Sequence, residues 1–205
     1  MMLMLSIDPR TNTERENYKL LIGSIIPRPI AFVTTLSEDG VLNGAPFSYF
    51  NIVSANPPMI SLSIQRSGEK QKDTAKNIKK KKEFVVHIVD EQNVEKVNKT
   101  AASLPPHVSE IELAELTRVE STKISVPGVK QAKIRMECVL ENFLELGDKD
   151  NPSCDLIIGK VIQFHVENDL YENGRIDAKG LAAVSRLAGA NYAKVGEIFE
   201  IKRPK

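Results

Sequence analysis

Between residues 65 and 78 the chain reads QRSGEKQKDTAKNI, a segment that gathers the groups needed to hold an anion. Arg66, Lys70 and Lys72 are cationic, Thr74 brings a hydroxyl, and Asp73 and Thr74 are both residue types that open helices. A helix starting there presents unpaired N–H groups and the positive end of its dipole, which together attract phosphate. Asp73 then either caps the helix or bonds a sugar hydroxyl. The glycine spacing of a Walker loop is missing. Alone, the segment reads equally as a capped surface helix with basic neighbours.

Two further stretches have chemical potential. NGAPFSYFN (43–51) sets small residues and a proline among Phe47, Tyr49 and Phe50. Small residues let a flat ring lie against the backbone, while free N–H groups and Ser48 can bond its polar edge. The structural alternative is a bulged strand and turn with ordinary core aromatics. In IIPRP (25–29) two prolines fix the backbone around Arg28, and a rigid loop can aim that cation at an anion or a ligand carbonyl. A solvated arginine at a strand entry is the plainer reading.

The other polar residues point to structure. His87 and His165 lie within apolar strands, His107 follows two prolines, and their spacing makes no metal site. We therefore expect hydrogen-bonded structural histidines, with His165 placed to face a nicotinamide if its strand turns it inward. Cys138 and Cys154 read as core residues, not redox thiols. The lysine run 79–82 solvates a helix end and complements its dipole.

Strands must position these residues. RPIAFVTTL (28–36), PPMISLSI (57–64), EFVVHIV (83–89), KIRMECVLENFLEL (133–146) and CDLIIGKVIQFHVEN (154–168) carry β-branched and aromatic patterns. The run at 83–89 is apolar throughout, as a strand covered on both faces would be. Gly159 marks a bulge or a close backbone approach. YENGRID (171–177) holds an Asn-Gly tight turn, and GEIFEIKRP (196–204) reads as a final strand. Helices are expected over 72–82 and 90–103, with weaker candidates at 108–117 and 181–189. Without regular strand–helix alternation, a parallel doubly wound sheet is disfavoured and a small antiparallel barrel is expected.

Composition bounds the rest. The 205 residues suit one domain, and 28 Lys plus Arg against 27 Asp plus Glu leave no nucleic-acid footprint. Two cysteines fit a reducing compartment. No stretch approaches the roughly 20 apolar residues of a membrane helix, and the N-terminus lacks a signal pattern, so we expect a cytoplasmic protein with no membrane partner.

In this order and spacing, IIPRPIAFVTT, NGAPFSYFN and KDTAKNI resemble the flavin reductase-like family, which binds FMN on a split barrel. GKVIQFHV (159–166) and SRLAGANYAKV (185–195) extend the likeness over most of the chain, nearest to flavoredoxins and to the reductase components of nitrilotriacetate monooxygenase. The resemblance implies a mainly β fold, an antiparallel, Greek-key-like split β-barrel with short peripheral helices. It implies one domain over 1–205, with a core at about 18–168 and a segment 169–205 serving the dimer and the site. By position, it places Asn43, Ala45, Pro46 and Ser48 along the flavin ring and ribityl chain. Arg28 and Pro29 fall beside the ring, with Thr34 on the strand just beyond. Arg66, Lys72, Asp73 and Thr74 fall at the phosphate, and Arg186 and Tyr192 approach the flavin across a homodimer interface. Relatives often carry two glycines where this chain has Ala188-Gly189.

The implied activity is hydride transfer from NADH or NADPH to FMN, supplying reduced flavin to a monooxygenase or electrons to another acceptor. The cofactors' own chemistry carries that step, so no catalytic acid–base residue is required. The alternative is an FMN-bound electron carrier reduced by a protein partner.

Overall fold

A computed structural model describes residues 3–204 apart from Glu69, Ser103 and Pro106. Helix α1 (Glu14–Ser24) precedes a two-residue strand β1 (Arg28–Pro29) and then β2 (Ala31–Leu36), β3 (Leu42–Phe47), β4 (Phe50–Ala55) and β5 (Pro58–Gln65). Helix α2 (Asp73–Lys81) leads to β6 (Glu83–Ile88), followed by the short helices α3 (Val94–Lys99) and α4 (Glu110–Leu113). A small pair, β7 (Arg118–Val119) and β8 (Gly128–Val129), precedes the long strands β9 (Ile134–Gly147) and β10 (Pro152–Val166). The chain continues through β11 (Tyr171–Glu172), β12 (Arg175–Ile176), α5 (Ala178–Leu181), β13 (Val184–Arg186) and β14 (Tyr192–Lys194).

Seven strands form one antiparallel sheet in the order β3-β2-β6-β9-β10-β5-β4. Its two edge strands, β3 and β4, are consecutive in sequence. The three Cα steps from Phe47 to Phe50 span at most about 11 Å. The sheet must therefore curl until its edges meet, although no ladder joins them. That is a barrel split along one seam, and NGAPFSYFN crosses the seam.

Around β2 and β6 both faces of the sheet are buried. Ala31, Val33, Leu62, Phe84, Val86 and Ile157 fill the interior, with Ala75 and Ile78 of α2 packed on the same cluster. Phe32, Val85 and Val89 face the other way, against α3, α4 and the 114–132 segment. This double cover explains the unbroken apolar run of β6. Gly159 sits at a register shift between β10 and β9, and a Cβ there would meet the Phe84 ring at 2.3 Å. The bulge and the close approach are thus one feature.

Several boundaries differ from expectation. Residues 196–204 form no strand; Ile198, Phe199 and Ile201 lie exposed because no strand of their own chain pairs with them. Over 181–189 the helix gives way: α5 ends with Ala182 at φ 49°, and the chain turns into β13, which pairs with β1 and β14 in a separate three-stranded sheet. Over 90–103 only α3 is helical, because Asp90 Oδ1 accepts from the Gln92 and Asn93 N–H groups in a preceding turn; Ser103 lies outside the described residues. Over 108–117 the helix is confined to α4. Helix α1 was not anticipated, although Thr13 and Glu16 form a full capping box before it.

Candidate functional site

The outer side of β3 is the floor of a groove. Gly44 turns its N–H away from β2, to the Glu110 carboxylate at 3.2 Å. Two residues on, Pro46 faces the same way and has no N–H to donate from this sheet edge. A Cβ at Gly44 would meet Ile111 Cδ1 at 2.5 Å, so only glycine lets α4 lie this close to β3.

The groove has two lobes that share Pro46, Phe47 and Ala101. One, about 170 Å³, is walled by Ile30, Val89, Val94 and Val97, with Ser48, Asn98, Arg186 and Tyr192 supplying its polar groups. Arg186 and Tyr192 are direct partners across β13 and β14, and the guanidinium stacks 4.4 Å from the ring centroid. Arg186 also donates to Gly189 O at 2.7 Å, while the Tyr192 hydroxyl donates to Asn98 Oδ1 at 3.0 Å. Both residues line the groove of their own chain.

The second lobe, about 300 Å³, is polar; Asn43, Ala45, Lys70, Lys72, Asp73 and Thr74 are among its lining. Lys72 is the N-cap of α2, and no side chain caps the helix. The expectation that Asp73 or Thr74 caps it is therefore corrected: both already lie inside the helix, and Asp73 accepts from Lys76 at 3.3 Å. The helix thus turns an uncapped N-terminus to the lobe.

Asn43 organises this end. Its Oδ1 accepts from Thr74 Oγ1 at 2.9 Å and Thr35 Oγ1 at 3.2 Å, while Nδ2 donates to Glu110 at 3.0 Å. Burial pushes the Glu110 carboxyl above the ordinary carboxylate range and the charge of Asp73 adds to this, against bonds from backbone N–H groups and Asn43. No local pattern marks Glu110, which stands 66 residues beyond Gly44 and is joined to it only by folding.

Four expected site residues stand apart from this groove. Arg28 is buried, its guanidinium donating to Ile22 O, Ile25 O and Leu187 O, so it ties the end of α1 to the β13–β14 turn. With Pro29 it borders a different cavity, about 430 Å³, which meets the groove at Ser48. Thr34 is fully buried on the face of β2 away from Thr35 and donates to Pro127 O at 2.7 Å. Arg66 is drawn into an ion pair with buried Asp155 at 2.5 Å and with Glu145 at 2.8 Å, and these carboxylates hold its pKa above the usual arginine value.

Two of the three histidines are structural; His107 is exposed and makes no side-chain hydrogen bond among the described residues. Buried His87 has Nδ1 on Phe32 O at 2.9 Å and accepts from Val129 N–H at Nε2, a pattern that fixes the neutral ring; burial lowers its pKa to about 3. His165 bonds buried Glu137 at 2.6 Å instead of lining the groove. Cys138 is buried, which pushes its thiol well up, and both cysteines are free. Among the described residues no His, Cys, Asp and Glu cluster could hold a metal.

A family model described as flavin reductase like domain matches residues 22–181. The chain belongs to the flavin reductase-like family. Its antiparallel split barrel is the fold seen in solved relatives. The crystal structure of nitrilotriacetate monooxygenase component B from Bacillus cereus is similar at 63% identity and TM-score 0.97, covering 98% of this chain and 100% of that one. The 2-nitrobenzoate 2-nitroreductase NbaA of Pseudomonas fluorescens is similar at 29% identity and TM-score 0.88, covering 98% and 96%. An uncharacterized protein of Halalkalibacterium halodurans is 48% identical over 98% of this flavin reductase-like chain and 97% of its own length.

Proposed function

We propose that this chain holds FMN in the two-lobed groove and reduces it with NADH or NADPH, as one flavin reductase domain over residues 1–205. The observation that carries the reading is the polarity of the groove. Its apolar lobe suits a flat ring system, and its other lobe ends on an uncapped helix N-terminus beside Lys70 and Lys72, which suits a phosphate. Membership of a flavin family supports a flavin and an oxidoreductase; the phosphate end is what favours FMN.

The bound flavin would supply the hydride-accepting chemistry, and the protein's task is to place and shield it. Pro46 and Phe47 offer a backbone wall shared by both lobes, so one ligand can lie along them. Val89, Val94 and Val97 exclude water from the ring end. Arg186 brings a fixed positive charge to the lobe where a reduced ring would gather negative charge. Asn43, Ala45 and Ser48 border the path between the ends, and Lys72, Asp73 and Thr74 the phosphate end.

The likeness to a monooxygenase component B supports a monooxygenase as consumer of the reduced flavin. A homodimer is favoured by apolar side chains left open on β4 and at the end of α1, Ile52, Val53, Leu21 and the C-cap Ile25 among them. Among the described residues no helix is long and apolar enough to cross a membrane, in keeping with a cytoplasmic reductase.

Anaerobic stopped-flow mixing of the FMN-loaded protein with NADH and with NADPH tests the reading. Bleaching of the flavin within seconds is the expected result. Flavin that stays oxidised with both donors yet reduces with a protein donor would replace the reductase with an electron carrier.

A further inference from the structure

Among the described residues, Lys70, Lys72, Asp73 and Glu110 are the charged groups lining the polar lobe. Asp73 has a cation of its own in Lys76. Glu110 has none: it is 8% exposed, and Asn43 Nδ2 and the Gly44 N–H donate to its Oε2. Asn43 links it directly to the Thr74 hydroxyl at the start of α2. The remaining neighbours, Thr100 and Ala101 after α3 and Asn43 and Gly44 on β3, are uncharged.

Resting on the FMN reading above, we propose that Glu110 takes up a proton from solvent when the ligand's phosphate enters this lobe, and so sets the lobe's preference for FMN over riboflavin as a function of pH. Two lysines and a helix terminus can offset the phosphate but leave nothing for a second buried anion beside it. The proton adds to a carboxylate oxygen of Glu110, and no other bond changes. A protonated Glu110 still accepts from Asn43 and Gly44 through Oε2 and gains an O–H to donate. The elevation of this carboxyl by burial and by Asp73 lowers the cost of the step. Riboflavin, with no phosphate, makes no such demand.

Titration calorimetry in buffers of different ionisation enthalpy reads the proton directly. At pH 7.5 and above, where a phosphate monoester is almost wholly dianionic, FMN should take up more protons than riboflavin, by as much as one. The FMN-to-riboflavin affinity ratio should then fall with rising pH, by up to about tenfold per unit. Glu110→Gln should remove both effects and tighten FMN at pH 8. No excess uptake by the wild-type protein overturns the inference, and this arm needs no variant to fold. An unchanged excess in Glu110→Gln also overturns it, since the proton then belongs elsewhere. Equal weakening of both flavins in that variant would make Glu110 an acceptor for the ribityl chain and sink the proposal as well. A wild-type protein that binds neither flavin fails at the earlier step, the FMN reading itself.

Discussion

The Thr74 hydroxyl donates to Oδ1 of Asn43 at 2.9 Å, tying the first turn of α2 to the edge strand β3. The same amide donates to Glu110, so three segments distant in sequence are fixed around one end of the groove. With the hydroxyl proton on Asn43, Thr74 must turn it toward a phosphate to bond one, while Lys72 and the helix N–H groups are already in place.

The phosphate end should therefore discriminate between flavins. Lys72→Ala with Thr74→Ala is expected to weaken FMN binding by at least about tenfold, the scale of one lost charge-assisted hydrogen bond. Riboflavin should lose less than about threefold, since the apolar lobe is untouched. Fluorescence titration of both flavins decides it, and equal losses would put the phosphate elsewhere.

Tyr192 predicts the opposite pattern. Tyr192→Leu removes the stacked partner of Arg186 and the bond to Asn98. Both flavins should weaken alike, by about three- to tenfold, in line with the loss of one aromatic contact. A loss confined to FMN would move Tyr192 away from the ring.

Arg66 should act on stability. Its side chain is 9% exposed and that of Asp155 is fully buried. Arg66→Met leaves Asp155 without its cation, and removing one member of a buried pair costs about 3–5 kcal/mol. Urea unfolding should show this, with flavin affinity of the folded protein little changed. Intact stability with a selective loss of FMN would return Arg66 to the phosphate.

His87 gives a pH signature. Its folded pKa, about 3, lies below the 6.5 of an unperturbed ring. Above pH 6.5 the ring is neutral in both states and its contribution is fully present. Below that the unfolded chain binds a proton that the folded protein refuses, so stability falls by about 1.4 kcal/mol per pH unit toward pH 3. Urea midpoints at pH 7, 6 and 5 should drop more steeply for the wild type than for His87→Gln; parallel curves would mean that His87 titrates normally.

Much of the framework was legible in residue patterns. EFVVHIV announced a strand buried on both faces, Gly159 a bulge, and the Asn-Gly pair a hairpin, where Asn173 at φ 52° and Gly174 at φ 79° make the turn. These signals are local, set by side-chain period and backbone freedom. Helix α1 carries a local signal too, in the capping box of Thr13 and Glu16. The 196–204 segment shows the converse: it has the β-branched and aromatic residues of a strand, but a strand needs a neighbour to bond, and the described residues of its own chain supply none.

At the groove the same division holds. The sequence by itself determined a basic helix start at Lys72–Thr74, a small-residue aromatic stretch at 43–51, and a family likeness through their order. Tertiary structure alone decided which polar groups meet. Thr34 and Thr35 are adjacent, yet the two-residue period of β2 sends one into the core and the other to Asn43. Arg66 precedes the basic helix start, yet Asp155 on β10 claims it. Glu110 enters the groove because Gly44 lets α4 settle against β3. Residue types fix what each group can bond, but competition among partners brought close by folding selects the bond that forms.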